Sequence, residues 1–203
     1  AEVRERVGPD IPIVVVSDHG FHSFRWAVNL NTWLVQEGYL VLKGARTEAK
    51  TLDNLFLGTG EFWENIDWSK SKAYAMGLGQ VFINVKGREG QGIVSPGLQY
   101  QEVVDELAAR LMTLTDPNNG TRIISGVYKR DEIYSGPFVK DAPDLQVGMV
   151  DGYRVSWQTT LGGGGEAVIE DNRFPWSGDH CSVDPALVPG ILLSNRRLET
   201  GGA

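Results

Sequence analysis

The chain has 203 residues, of which 41% are hydrophobic and 22% charged, with a net charge of −7 at pH 7. That length and composition suit a globular protein with one sizeable core or two small ones. The acidic balance argues against a nucleic-acid polymer as main partner, no stretch approaches the roughly 20 apolar residues of a membrane span, and a lone cysteine, Cys181, excludes an intrachain disulfide or a cysteine-based zinc cluster.

Residues Ala1 to Asp10 are charged and lack the apolar core of a signal peptide, so they assign no compartment. Glu2 to Val7 reads as the end of a helix. The next stretch, Ile11 to Gly20, organises the chain. Ile13, Val14, Val15 and Val16 form an unbroken run of β-formers. So short a continuous run predicts a strand buried on both faces, as in a parallel sheet covered by helices. It stops at Ser17-Asp18-His19-Gly20. Asp18 and His19 therefore fall where a central strand releases the chain, the edge at which open α/β sheets bind ligands. Turn chemistry alone also accounts for Asp and Gly there.

Phe21 to Val28 reads as a loop. A helix is predicted from about Leu30 to Glu37, capped by Asn29 or Asn31, with Leu30, Trp33 and Leu34 facing the core and Gly38 at its C-terminus. Tyr39 to Leu42 reads as a short strand or extended arm. Residues from about 45 to 72 show no period but carry Phe56, Phe62, Trp63 and Trp68, which predicts an irregular, packed insertion. Ala73 to Met76 and Gln80 to Val85 look extended. The loop Gly87 to Gly92 is followed by no Gly-Lys-Ser/Thr and is not a phosphate-binding P-loop.

The best helix starts near Ser95-Pro96, with Ser as cap and Pro at the first turn. Tyr100, Val103, Val104, Leu107, Leu111 and Leu114 form its apolar stripe, and Asp116 to Gly120 ends it. Ile123 to Tyr128 and Asp144 to Met149 read as strands. A strong helix leading into strands indicates an α/β fold. The last third reads mostly as loop, with a short apolar strand at Ile191 to Leu193.

The chain has three histidines, His19, His22 and His180. Asp18, His19 and His180 together supply the donor types of zinc or a similar borderline metal, although no HExxH or Cys-x-x-Cys spacing accompanies them. A lone loop histidine is as readily a surface residue, so spacing alone leaves His180 open. His22 is read as a loop residue, with pocket lining as the alternative. Arg25 and Arg154 have forks that fit phosphate, but surface solvation is the simpler reading for each. Asp179 is open to two readings, turn residue or orienter of His180. Cys181 reads as a small buried residue before a soft ligand.

Four segments carry a resemblance: IVVVSDHGF, VNLNTWLVQEGYLVL, AYAMGLGQVFINVKGREGQGIV and WSGDHCSVDPALVPGILLSN. They resemble the alkaline phosphatase superfamily, in its type I phosphodiesterase/nucleotide pyrophosphatase branch, over nearly the whole chain. The resemblance implies a three-layer sandwich, a central and mostly parallel sheet flanked by helices, of which residues 1–203 form the C-terminal part. It implies hydrolysis of phosphodiesters or other phosphoesters of small molecules or nucleotides at two divalent ions, zinc before manganese. Asp18 and His19 match the pair that holds one ion, and His180 the late histidine that holds the other.

No position matches the family's Thr or Ser nucleophile or its remaining ligands, so no catalytic residue is assigned. The expectation is a chain that binds zinc weakly or not at all and turns over no substrate by itself. Uncovered sheet edges would then favour a homodimer. Within the superfamily, a sulfatase or phosphoglycerate mutase relative is the neighbouring alternative. Outside it, the alternative is a catalytically silent α/β binding or scaffold domain.

Overall fold

A computed structural model describes residues 2–43, 65–173, 175–180, 182 and 184–197. Most of the expected insertion, with Phe56, Phe62 and Trp63, lies outside the described residues, as does Cys181. Its final turn is described: Ile66 is fully buried and Trp68 packs against the core.

The core forms where two amphipathic helices meet a sheet. Helix α1 is Glu2–Val7, as expected, and is exposed throughout. Helix α2 is Leu30–Gln36, and it buries Leu30, Trp33 and Leu34. Gly38 follows with φ of +77°, the left-handed conformation that closes a helix without a Cβ penalty. Neither asparagine caps α2 through its side chain. Asn29 occupies the cap position without a side-chain bond. Asn31 lies inside the helix, buried, and clamps the backbone of Ala75 by accepting from its N–H and donating to its carbonyl, both at 2.7 Å.

Helix α3, Leu98–Leu111, buries Val103, Val104, Leu107 and Leu111. Each fully buried leucine contributes about 1.5–3 kcal/mol relative to exposure. The helix begins later than Ser95-Pro96, because Gly97 holds the cap position with φ of +89°. Ser95 is instead held through its N–H by Gln99.

Helix α3 packs on an antiparallel sheet of strands β3 (Ala73–Ala75), β4 (Gln80–Ile83), β5 (Ile124–Lys129) and β6 (Leu145–Met149), in the order β3-β4-β6-β5. All four lie where extended chain was predicted. Asp144, fully buried beside β6, knots this region together. It accepts from Ile83 N, Tyr100 Oη, both terminal nitrogens of Arg88, and Arg130 Nη1. The glycine-rich loop is thus tied to the core through Arg88. The Asp144 carboxylate raises the Arg88 and Tyr100 pKa values, with burial opposing it at Arg88 and leading the rise at Tyr100.

The second sheet corrects two expectations. Phe21 to Val28 is not a loop: β2, His22–Val28, is the hub of this sheet. It pairs in parallel with β7 (Gly152–Val155) and antiparallel with β8 (Ile169–Asp171) and β9 (Gly178–Asp179). The last third is therefore more ordered than a loop-rich sequence implies. It includes the short helix α5 (Trp157–Thr160), and another, α4 (Arg130–Ile133), precedes it.

The buried-strand expectation fails for β1, Val14–His19. Its only ladder among the described residues is an antiparallel ribbon with β10, Pro189–Ser194. Both faces of a two-stranded ribbon stay open, so Val16 is 70% exposed and Leu193 59%. The apolar run specifies burial that no described residue provides. Among the named strands only β2 and β7 run parallel, so the described residues form an α/β protein of small sheets, not a mostly parallel central sheet. No described helix is long and apolar enough to cross a membrane.

Candidate functional site

The β1–β10 ribbon carries Asp18 and His19 as the last two residues of β1. The two strands approach so closely there that a Cβ on Gly190 would lie 2.3 Å from the Ser17 carbonyl. Only glycine permits that contact. Gly20 then bonds back to the Val188 carbonyl at 2.8 Å, which turns the chain into Phe21 and β2.

His19 has a defined tautomer. Its Nδ1 lies 2.8 Å from the Gly20 carbonyl, which can only accept. The proton is therefore assigned to Nδ1, leaving the Nε2 lone pair free in the neutral ring. Asp18 Oδ1 is 3.7 Å from that Nε2, and its carboxylate is almost fully exposed. Two donors this close can share one cation.

His180 arrives from the opposite end of the sequence. Strand β9 pairs with β2 in the register His22↔Asp179 and Ser23↔Gly178, and Phe24 N donates to the Ser177 carbonyl. This register carries the next residue, His180, against His19. The two imidazoles stack with centroids 3.9 Å apart and planes 1° from parallel. Phe21 leans on His180 at 5.4 Å. Among the described residues His180 Nδ1 is buried with no hydrogen-bond partner. Such an atom costs about 1–3 kcal/mol unless something satisfies it.

The ring geometry limits what the site can hold. An imidazole lone pair lies in the plane of its ring. Parallel stacked rings therefore direct their lone pairs into separate planes, and do not address one ion together. They suit two ions a few ångströms apart, the spacing of two-metal hydrolytic sites being about 3.5–4 Å. Carboxylate and imidazole are donor types that zinc accepts. The number of donors is small, however: among the described residues no three His, Cys, Asp or Glu side chains gather as a metal cage. Asp18 and His19 lie close enough to donate to one cation, while the His180 ring lies in a separate plane.

Sequence reasoning undervalued two neighbours. His22 is not a loop residue; its side chain is nearly buried on β2, with Nδ1 3.0 Å from Asp151 Oδ1. Its Nε2 is buried without a hydrogen-bond partner among the described residues. Arg154, expected at the surface, is only 2% exposed. It lies among Phe24, Trp157 and Trp176, with Nε 3.1 Å from Asp179 Oδ2. No spacing rule finds such a cluster, because its members come from separate elements. Arg25 is exposed, as expected. Beyond Arg154 opens a cavity of about 440 Å³ lined by Phe24, Trp157, Trp176, Glu170 and Asp171.

A sequence model of the type I phosphodiesterase / nucleotide pyrophosphatase family matches residues 1–165. The match contains Asp18 and His19 and ends before His180. No curated protein and no solved structure matches the chain.

Proposed function

Because the chain belongs to the type I phosphodiesterase/nucleotide pyrophosphatase family, we propose that it serves metal-dependent hydrolysis of a phosphodiester or related phosphoester, with a nucleotide or other small molecule as substrate. Family membership supports a phosphoester hydrolase. The single observation that carries the finer reading is the stacking of His180 on His19 beside Asp18.

In this reading Asp18 and His19 would hold one divalent ion and His180 a second, zinc before manganese. Bound ions supply charge stabilisation and activation of a nucleophile in phosphoryl transfer. The residues themselves do the following. The Gly20 carbonyl fixes the His19 proton on Nδ1, which leaves the Nε2 lone pair of the neutral ring available beside Asp18. Asp18 adds a negative charge beside it in open solvent, where a cation can enter. Phe21 leans on the His180 ring, with centroids 5.4 Å apart and planes tilted by 42°. In this reading covalent catalysis is assigned to no residue of this chain.

Three donors divided between two ions bind weakly, since firm zinc sites use three or four protein ligands each. The test uses cobalt(II), whose visible spectrum reports ligand number and type. Millimolar cobalt added to the chain is expected to give bands that D18A and H19A diminish and H180A alters. Spectra identical in wild type and all three variants would refute the site. Hydrolysis of bis-p-nitrophenyl phosphate by the chain alone is expected to be negligible; fast turnover would show that a nucleophile has been overlooked. A silent α/β binding domain is the second reading, favoured by the lack of a three-donor cage among the described residues. It expects no cobalt bands from any of the four proteins.

A further inference from the structure

His180 follows β9, whose ladder to β2 ends with the pair Asp179 and His22. Its direction is instead set through Asp179. The Asp179 Oδ1 accepts from the His180 main-chain N–H at 2.8 Å. The Oδ2 of the same carboxylate lies 3.1 Å from Arg154 Nε, and the two side chains are 3% and 2% exposed. The single Nε–H of Arg154 donates to the Val155 carbonyl at 2.8 Å, which anchors the guanidinium to β7, so its contact with Asp179 is an ion pair. Its face is enclosed by aromatic rings, with Trp157 at 4.4 Å, Phe24 at 5.1 Å and Trp176 at 5.3 Å.

Removing both charges from water is costly, and apolar groups of the same volume would fill this space at least as stably. The ions add direction. A carboxylate drawn by charge at one oxygen toward a caged guanidinium turns its other oxygen in one direction, and here that direction is the His180 N–H. Arginine suits the role because its planar fork stacks on rings while its edge donates, which an ammonium does not do.

We propose that Arg154 and Asp179 form a positioning pair, caged by Phe24, Trp157 and Trp176, that fixes His180 in the orientation from which it donates to a metal ion. The donor role of His180 rests on the function proposed above; the fixing of His180 does not. The pair works through the backbone and touches neither substrate nor metal.

The test separates the two claims by reading His180 first without metal. In the unaltered chain the His180 amide proton is expected to exchange slowly with deuterium; exchange at the rate of an unprotected amide would overturn the proposal. Then D179A is compared with D179N, whose amide oxygen can still accept from His180 N–H. In D179A, with the thermal midpoint lowered because Arg154 loses its buried counter-charge, the His180 imidazole signals are expected to shift and broaden and zinc affinity to fall about 10- to 100-fold. D179N is expected to recover most of both. A folded D179A with wild-type His180 signals and zinc affinity would overturn the proposal, as would D179N failing as completely as D179A. Absence of zinc binding in wild type would count against the hydrolase reading alone, leaving the imidazole and amide signals to decide the positioning claim.

Discussion

The imidazoles of His19 and His180 lie face to face, 3.9 Å between centroids and 1° from parallel. Each ring sits in the shielding zone of the other. The carbon-bound protons of the His19 ring are therefore expected upfield of their positions in an unfolded chain. In H180A they are expected to move back downfield, and in H19A those of His180 are expected to do the same. Assignment is simple, since His22 is the only other histidine. Unchanged His19 signals in H180A would contradict the stacking.

Asp144 is the most heavily used carboxylate of the core. Arg88 Nη1 and Nη2, Tyr100 Oη and Ile83 N all donate to it, at 2.9, 2.5, 2.7 and 2.6 Å. D144A would leave the buried Ile83 N–H without its acceptor and the Arg88 guanidinium with only Glu89 and the Ile83 carbonyl. Breaking such a buried pair from one side costs about 3–5 kcal/mol. Urea unfolding of D144A is expected to show a loss at the lower end of that range, because Arg88 retains some solvent. A loss within experimental error would mean that the network is incidental.

Asp184 gives the chain an acid-sensitive element. Burial pushes its pKa up, but bonds from Ala186 N, Tyr128 Oη and Ser125 Oγ together outweigh burial and hold it below the ordinary carboxylate value. The unfolded chain, with an Asp pKa of about 3.9, therefore binds the proton more readily than the folded one. The stability this contributes is complete above about pH 4 and is lost as pH falls through the lower, folded value. In Y128F the Asp184 titration is expected to move up towards the ordinary range, and the acid limb of the stability profile to become shallower. An Asp184 titration unaffected by Y128F would contradict this account.

The β1–β10 ribbon presents Val14, Val15 and Val16 from one strand and Ile191, Leu192 and Leu193 from the other, all exposed. A contiguous apolar ribbon of this kind binds hydrophobic dyes. Anilinonaphthalene sulfonate fluorescence is expected to rise with the folded chain and to fall in the double variant V16K/L193K. Equal dye binding by both proteins would show that the ribbon is covered in solution.

Which parts of the fold were legible depended on how locally they are encoded. Helix α3 could be read from Val103, Val104, Leu107 and Leu111, because helical spacing places them on one face whatever they pack against. Strand β4 followed from the β-propensity of the run VFINV. Strand β2, HSFRWAV, could not be read, because its partners on both sides let charged and aromatic residues alternate without a simple in-out pattern. The run before Asp18 was read as buried on its composition, and composition does not say which segment provides the cover. At the site, the adjacency of Asp18 and His19 was visible and placed at a strand end. His180 was tied to them by resemblance, since the β2–β9 register that unites them leaves no trace in spacing. Arg154 was misjudged for a related reason: a charge is buried only where partners wait, and Asp179 and the three rings come from three separate stretches of the chain.

The central claim, that Asp18, His19 and His180 are metal donors, is tested most directly by following the three imidazoles by nuclear magnetic resonance during a zinc titration of the metal-free chain. The account expects His19 and His180 signals to shift at millimolar zinc, His22 to move much less, and chelator to restore the original spectrum. If His19 and His180 stay still while zinc is in excess, or if His22 alone responds, the site does not bind metal in this chain.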